Sequence, residues 1–453
     1  MTKTSTDLPM AIQRSDFASD FVWGVSTSAY QIEGAAAVDG RVPSIWDTFS
    51  ARPGKIRDGS TGAVACDHYH HWEEDLDLAQ SMGLNAYRFS IAWPRIFNGV
   101  DAQPNAKGLA FYSRLVDGML ARGLQPWCTL YHWDLPQYIE DQGGWNNRAT
   151  VDLYLQYVDV ITRHLGDRIK HWITHNEPWC TAMHGNWDGM HAPGNKSLPL
   201  ALQVCHHVLL SHGRAVPLIR ANVPGAKVGI ALSLHPVEPA SDSPADAAAA
   251  SRHDALRNRW FLDVLYGRGY PAEALALVGE DAPVVMPGDL EAIAVQCDFL
   301  GVNYYFPEVV QNAPDEYPLR AEIVYPQDRQ RTDFGWEVSP QGMVTLLERV
   351  ARDYLVGDLY VTESGSSYDD HLEHGAVIDT QRRDYLIRHL AAMRDAIAGG
   401  SRIKGYFAWS LLDNFEWAEG YLRRFGLTYI DYPTQRRIIK QSGQWYSAFV
   451  RGH

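Results

Sequence analysis

The chain has 453 residues, of which 46% are hydrophobic and 21% charged, and a formal net charge of -14. That balance describes a globular protein with a sizeable core, and it excludes a nucleic-acid partner, because phosphate binding needs Lys and Arg clustered on one face and no such run occurs. No stretch of about 18 apolar residues could form a membrane-spanning helix, so no membrane role is expected.

Eight short segments rich in β-branched and aromatic residues recur along the chain, with helix-period stretches between them. In order they read "DFVWGVSTS" from 20, the helical "WEEDLDLAQSMG" from 72, "NAYRFSI" from 85, the helical "AFYSRLVDGMLARG" from 110, and "LQPWCTLYHW" from 124. The helical "LYLQYVDVITRHLG" from 153 leads to "IKHWITHNE" from 169 and "AKVGIALSLH" from 226, and "SPADAAAA" at 243 to 250 is either a helix start or a surface loop. Then come "CDFLGVNYY" from 297, the helical "GMVTLLERVARDYL" from 342, "GDLYVTES" from 357, the helical "TQRRDYLIRHLAAMRDAIAG" from 380, and "RIKGYFAWS" from 402. Strand, helix, strand repeated eight times predicts the α/β class and a single (β/α)8 TIM barrel over 16–453, after a partly flexible tail at 1–15.

The five Cys (Cys66, Cys128, Cys180, Cys205 and Cys297) are odd in number and contain no CxxC pair, which fits thiols in a reducing compartment. The start "MTKTSTDLPMAIQRSDF" has no apolar signal-peptide run, and a cytoplasmic location is expected. The 15 Trp and 23 Tyr exceed what a core usually needs and suggest stacking on a ligand.

In such a barrel the active site lies at the C-terminal ends of the strands. Those ends are unusually polar here: Gln31 and Glu33 after strand one, Arg88 in strand two, His132 after strand three and Asn176 with Glu177 at strand four. Asn303 and Tyr305 follow at strand six, Glu363 at strand seven and Trp409 at strand eight. Strands four and seven lie roughly across the mouth, so Glu177 and Glu363 can face each other. Paired carboxylates cleave glycosidic bonds with retention at about 5 Å separation and with inversion at roughly 6.5 to 9.5 Å. The residues alone also allow an ion-pair partnership with Arg88.

Long motifs carry a resemblance from Phe21 to Tyr446: "FVWGVSTSAYQIEGA", "SIWDTF", "DHYHHWEEDLDLAQSMGLNAYRFSIAWPRI", "YHWDLPQ", "THNEPW", "GVNYY", "VTESG" and "WSLLDNFEWAEGY". The chain resembles glycoside hydrolase family 1 enzymes of the β-glucosidase type. The resemblance implies that Glu177 is the acid/base and Glu363 the nucleophile, with Arg88 and the Tyr305 hydroxyl holding the Glu363 pKa low. Asn176 would donate to the sugar 2-hydroxyl, Gln31, His132, Glu416 and Trp417 would bind the outer hydroxyls, and Trp409 would form the floor. Trp179 would form a wall for the leaving group, and Trp133 and Asn303 would line the site.

Family members that act on 6-phosphorylated sugars carry Ser in place of Glu416, followed by Lys and Tyr; the carboxylate here would repel phosphate, so unphosphorylated β-glucosides are expected. Departures from the family pattern are Ser364 after the nucleophile, "RRIIKQS" at 436 to 442 and Ser26. "YGRGYPAEA" at 266 to 274 follows a helix-like stretch and is rejected as a dinucleotide loop. "HYHHWEED" lacks metal-site spacing, and His68, His70 and His71 are read as packing and capping residues. No cofactor and no metal are expected, and the chain is expected as a monomer or homo-oligomer. A sugar-binding protein without catalysis, a β-galactosidase or β-fucosidase, and a transglycosidase are the alternatives.

Overall fold

The computed structural model describes residues 12–354 and 356–453. Eight parallel strands close into one barrel: β1 (Val22–Ser26), β2 (Ala86–Ser90), β3 (Gln125–Tyr131), β4 (His171–Asn176), β5 (Lys227–Ser233), β6 (Phe299–Asn303), β7 (Asp358–Ser364) and β8 (Ile403–Trp409). Each pairs with its sequence neighbours, and β1 closes the ring by pairing with β8. Every expected strand segment contains one of these eight.

The returning helices form the outer ring: α1 (His68–Ser81), α2 (Ala106–Ala121), α3 (Ala149–Leu165), α4 (Leu198–Asn222), α5 (Pro244–Asp254), α6 (Pro340–Tyr354), α7 (Thr380–Ala398) and α8 (Gln441–Arg451). The ambiguous "SPADAAAA" is the start of α5: Ser243 accepts a hydrogen bond from the Asp246 backbone N–H, and Pro244 occupies the first turn, where no intrahelical donor is lost. Asn105 and Ser197 cap α2 and α4 in the same way. Residues 1–11 of the expected tail lie outside the described residues. Arg14 donates to the carbonyls of Phe17, Ala18 and Ser19 and lies 5.6 Å over the Trp23 ring.

Large rings plug the lower barrel. Trp127 is fully buried and sits 4.7 to 5.3 Å from the rings of Phe299, Tyr360 and Phe407. Such a Trp removes roughly 150–250 Å² from water, worth about 4 to 6 kcal/mol at ~25 cal/mol/Å². Gly24 makes room for this plug, because a Cβ there would meet the Phe407 ring at 2.5 Å. The plug leaves polar side chains to the C-terminal ends, where the barrel opens.

Candidate active site

Strand register gathers the site into one layer. Ser26 pairs with both Arg88 and Trp409, and Asn303 pairs with Glu363. β4 and β7 both slip register next to their carboxylates, between Ile173 and Asn176 and between Val361 and Glu363. An irregularity of this kind bends the strand and re-aims the side chain. Glu177 itself has φ +46°, and the nearby Trp133 and Trp417 have φ +78° and +48°, a region that costs a non-glycine residue energy.

Arg88, fully buried, is the hub of the layer. Its Nη1 donates to Glu363 Oε1 at 2.6 Å and to the Thr362 carbonyl at 3.0 Å, its Nη2 to Asn176 Oδ1 at 2.6 Å, and its Nε to Thr129 Oγ1 at 3.1 Å. Tyr305 donates to the other Glu363 oxygen at 2.8 Å. Asn303 Nδ2 donates to Glu177 Oε1 at 2.8 Å and to Asn176 Oδ1 at 3.0 Å, while Asn303 Oδ1 accepts from Thr362. The Cys180 thiol donates to Glu177 Oε2 at 3.1 Å. A continuous polar network thus joins the two carboxylates, both nearly excluded from solvent.

Burial raises the Glu363 pKa to about 7; Arg88 and the Tyr305 hydroxyl oppose the rise and the Glu177 carboxylate adds to it. The expectation of a low value is therefore corrected. The two donors pull in the expected direction, but desolvation of a carboxylate held inside the barrel outweighs them.

The remaining sequence-derived residues surround this pair. Gln31 Nε2 donates to Asn414 Oδ1 and the Phe415 carbonyl, both at 3.0 Å, and its Oε1 accepts from Ser28. His132 Nε2 lies 3.1 Å from Asn176 Nδ2, and its ring stacks between Trp409 and Trp417 at about 6 Å from each. Burial, with Arg88 adding, holds His132 well below its usual value and so neutral.

Trp133 stands behind this group: its indole N–H goes to the Asn176 carbonyl at 2.8 Å, and its ring lies 4.4 Å from that of Trp417. Trp179 is half-exposed beside Phe261. Glu33 turns away to Arg95 and Tyr112.

Glu416 is raised to about 8, first by burial, then by Glu363, with the Trp409 indole opposing. Below that pH its carboxyl is neutral, which amends the reason for rejecting phosphate. In the stretch after it Glu419 occupies the nearby cations, accepting from Arg57 and from Arg423 at 2.9 Å each, so a phosphate there would have to compete with a carboxylate already paired to both guanidiniums.

Sequence reading gave no role to Thr129, Thr362 or Cys180, whose types signal nothing until the barrel closes. Ser26, noted as a small departure, donates to the Thr362 carbonyl at 2.7 Å and lies in the Arg88 cradle. Ser364, the other departure, approaches the Tyr385 hydroxyl at 3.4 Å. Gly365 is required by space, because a Cβ there would lie 1.9 Å from the Trp409 carbonyl oxygen. Among the described residues no cluster of three or more His, Cys, Asp or Glu could hold a metal ion. His68, His70 and His71 bond to Asp75, Asp67 and Glu74 within and beside α1.

A family model described as Glycosyl hydrolase family 1 matches residues 13–453. A protein named "Beta-glucosidase" from Agrobacterium sp. is 45% identical over 96% of this chain and 95% of its own. One from Bifidobacterium breve, named "Bifunctional beta-D-glucosidase/beta-D-fucosidase", is 43% identical over 96% of this chain and 98% of its own. A solved Thermotoga maritima family 1 glycoside hydrolase, complexed with a cyclophellitol analogue transition state mimic, is 43% identical with a TM-score of 0.94, covering 96% of this chain and 98% of its own.

Proposed function

The chain belongs to glycosyl hydrolase family 1, and on that premise we propose how its barrel mouth works as a retaining β-glucosidase, which releases terminal non-reducing β-D-glucosyl residues from unphosphorylated β-glucosides through a covalent glycosyl-enzyme. The observation that carries the reading of roles is the pair of buried carboxylates joined by the Arg88, Asn176 and Asn303 network.

Glu363 is the nucleophile. Its carboxylate attacks the anomeric carbon while Glu177 protonates the departing oxygen; water then attacks the glycosyl-enzyme as Glu177 takes its proton back, and Glu363 leaves as carboxylate. Sugar hydroxyls supply new hydrogen bonds to the groups around the nucleophile as they displace water. Arg88 and Tyr305 hold both Glu363 oxygens in line, so the attacking atom is positioned before substrate arrives. Asn303 orients Glu177, and Asn176 meets the 2-hydroxyl, a contact that strengthens at the transition state. Gln31, His132, Glu416 and Trp417 take the outer hydroxyls over the Trp409 floor, and Trp133 supports Trp417 from behind.

The barrel serves as one catalytic domain. A cytoplasmic location is supported by the five unpaired thiols, Cys66, Cys128, Cys180, Cys205 and Cys297. The alternative of β-fucosidase activity rests on the dual name of the Bifidobacterium relative alone.

The test is proton NMR of an aryl β-glucoside digest. β-Glucose appearing first, ahead of mutarotation, is the expected result; α-glucose first would overturn retention. The Glu177→Ala variant with azide should yield β-glucosyl azide, and a product of α configuration would remove Glu177 from its role.

A further inference from the structure

We propose that Arg257 is a positioning residue for the leaving-group side of this site: it holds Trp179 as a platform backed by a buried cation, and so favours aromatic aglycones that are neutral or anionic over cationic ones. This rests on the retaining β-glucosidase reading, in which Trp179 meets the aglycone.

Trp179 lies two residues beyond Glu177, and the Arg257 guanidinium carbon sits 4.4 Å from the centroid of its ring. Phe261 packs against Trp179 at 6.2 Å and 67°. Arg257 therefore covers one indole face, and the ring is half-buried, so it keeps surface that an aglycone can reach, in the proposed arrangement the opposite face. The two partners come from matching local structures: Trp179 leads into a π-helical turn, Cys180–His184, and Arg257 lies within another, Ala255–Arg259. A widened turn re-aims the side chains it carries, and such turns occur mostly at functional sites.

Arg257 is itself fixed. It is 4% exposed, its Nη1 donates to the Ser233 carbonyl at 2.9 Å, its Nη2 to Ser233 Oγ at 3.0 Å, and its Nε to Glu308 Oε1 at 3.3 Å. His253 contacts the second Glu308 oxygen at 2.6 Å, and His235 lies 3.8 Å from the first. Ser233 ends β5, so the barrel wall anchors the cation beneath the indole. A guanidinium whose three nitrogens are each bonded to the scaffold does not leave the ring to pair with a ligand, and its role is to set the position and potential of Trp179. A cation on one face draws π-density toward itself, which weakens the negative potential of the open face. That face then disfavours a cationic aglycone relative to a neutral or anionic one of the same shape.

The aglycone departs in the first chemical step, so the platform acts on kcat/KM and not on hydrolysis of the glycosyl-enzyme. The variants Arg257→Met, Arg257→Lys, Trp179→Leu and Trp179→Leu with Arg257→Lys are compared on 2,4-dinitrophenyl, p-nitrophenyl, p-(trimethylammonio)phenyl and methyl β-glucosides. Arg257→Met should lower kcat/KM for the neutral aryl substrates roughly tenfold, in line with a desolvated cation–π contact, and leave methyl β-glucoside within about twofold. It should also erase the discrimination against the cationic aryl substrate, while kcat for the dinitrophenyl substrate changes less than about twofold.

Equal losses on aryl and methyl substrates, or a parallel fall in kcat, would overturn the proposal. Arg257→Lys keeps the ion pair with Glu308 and loses the planar stack, so it carries the test where Arg257→Met fails to fold. An Arg257→Lys effect that persists in full on the Trp179→Leu background would also overturn it. If the unsubstituted enzyme turns over none of these glucosides, the β-glucosidase reading itself falls, a result distinct from those on the variants.

Discussion

Arg88 reaches the Glu363 carboxylate at 2.6 Å with both side chains nearly excluded from solvent, and the same guanidinium grips Asn176 at 2.6 Å. One residue therefore holds Glu363 and Asn176, proposed above as the nucleophile and the partner of the sugar 2-hydroxyl, in fixed relation to each other. The fork that does this is planar and fixed, a geometry that Lys cannot reproduce.

Arg88→Lys keeps the charge and loses the fork. The expected outcome is a fall in kcat/KM of roughly 10²- to 10³-fold, the scale seen when a preorganised donor is removed from a buried site. Steady-state kinetics on an aryl β-glucoside, with circular dichroism to check folding, measure it; a loss under about threefold would contradict the hub role.

Tyr305→Phe removes the hydroxyl that donates to Glu363 at 2.8 Å. That bond favours the ionised carboxylate, so its loss raises a pKa that burial has already brought to about 7. The acid limb of kcat/KM against pH, which reports the free enzyme, should move to higher pH. A limb that stays in place or moves to lower pH would contradict this reading.

Asn303→Ala removes the amide that orients Glu177. Proton donation matters most when the leaving group is a poor one. The loss in kcat/KM should be small for 2,4-dinitrophenyl β-glucoside and grow to roughly 10- to 100-fold for unactivated alkyl glucosides. A loss independent of the leaving group would point to a general packing defect instead.

Asp134, in "YHWDLPQ", is fully buried, and neither of its carboxyl oxygens has a hydrogen-bond partner in the protein. Burial raises its pKa to about 8, with Arg41 opposing and Glu33 adding. The folded state thus keeps a proton that the unfolded chain releases near pH ~3.9, and the stability this supplies declines as pH rises from there toward about 8. Asp134→Asn should flatten the fall in Tm over that window, and parallel Tm curves for the two proteins would contradict it.

The barrel was legible because β-branched and aromatic runs alternate with amphipathic stretches of helical period along the whole chain, and each run maps onto one strand. The segment from 243 was ambiguous because an alanine run shows no contrast between a polar and an apolar face; capping by Ser243 decides it. Glu177, Glu363 and Arg88 could be singled out because polar residues at strand ends are conspicuous.

What escaped the sequence depends on three-dimensional closure. The register slips in β4 and β7 and the positive φ at Glu177 leave no mark in residue types. Thr129, Thr362 and Cys180 acquire contacts only through neighbours distant in sequence or a widened helical turn. The sign of the Glu363 shift was misjudged for a related reason: its donors can be named from the sequence, whereas the extent of its desolvation is a property of the closed barrel.

The most direct test of the central claim is the intact mass of the enzyme, followed by peptide mapping, after incubation with 2,4-dinitrophenyl 2-deoxy-2-fluoro-β-glucoside. The fluorine slows breakdown of the covalent intermediate, so a retaining enzyme traps itself. A stoichiometric adduct on Glu363 is the predicted result. An adduct on any other residue, or no adduct from an enzyme that turns over the unfluorinated aryl glucoside, would contradict the account.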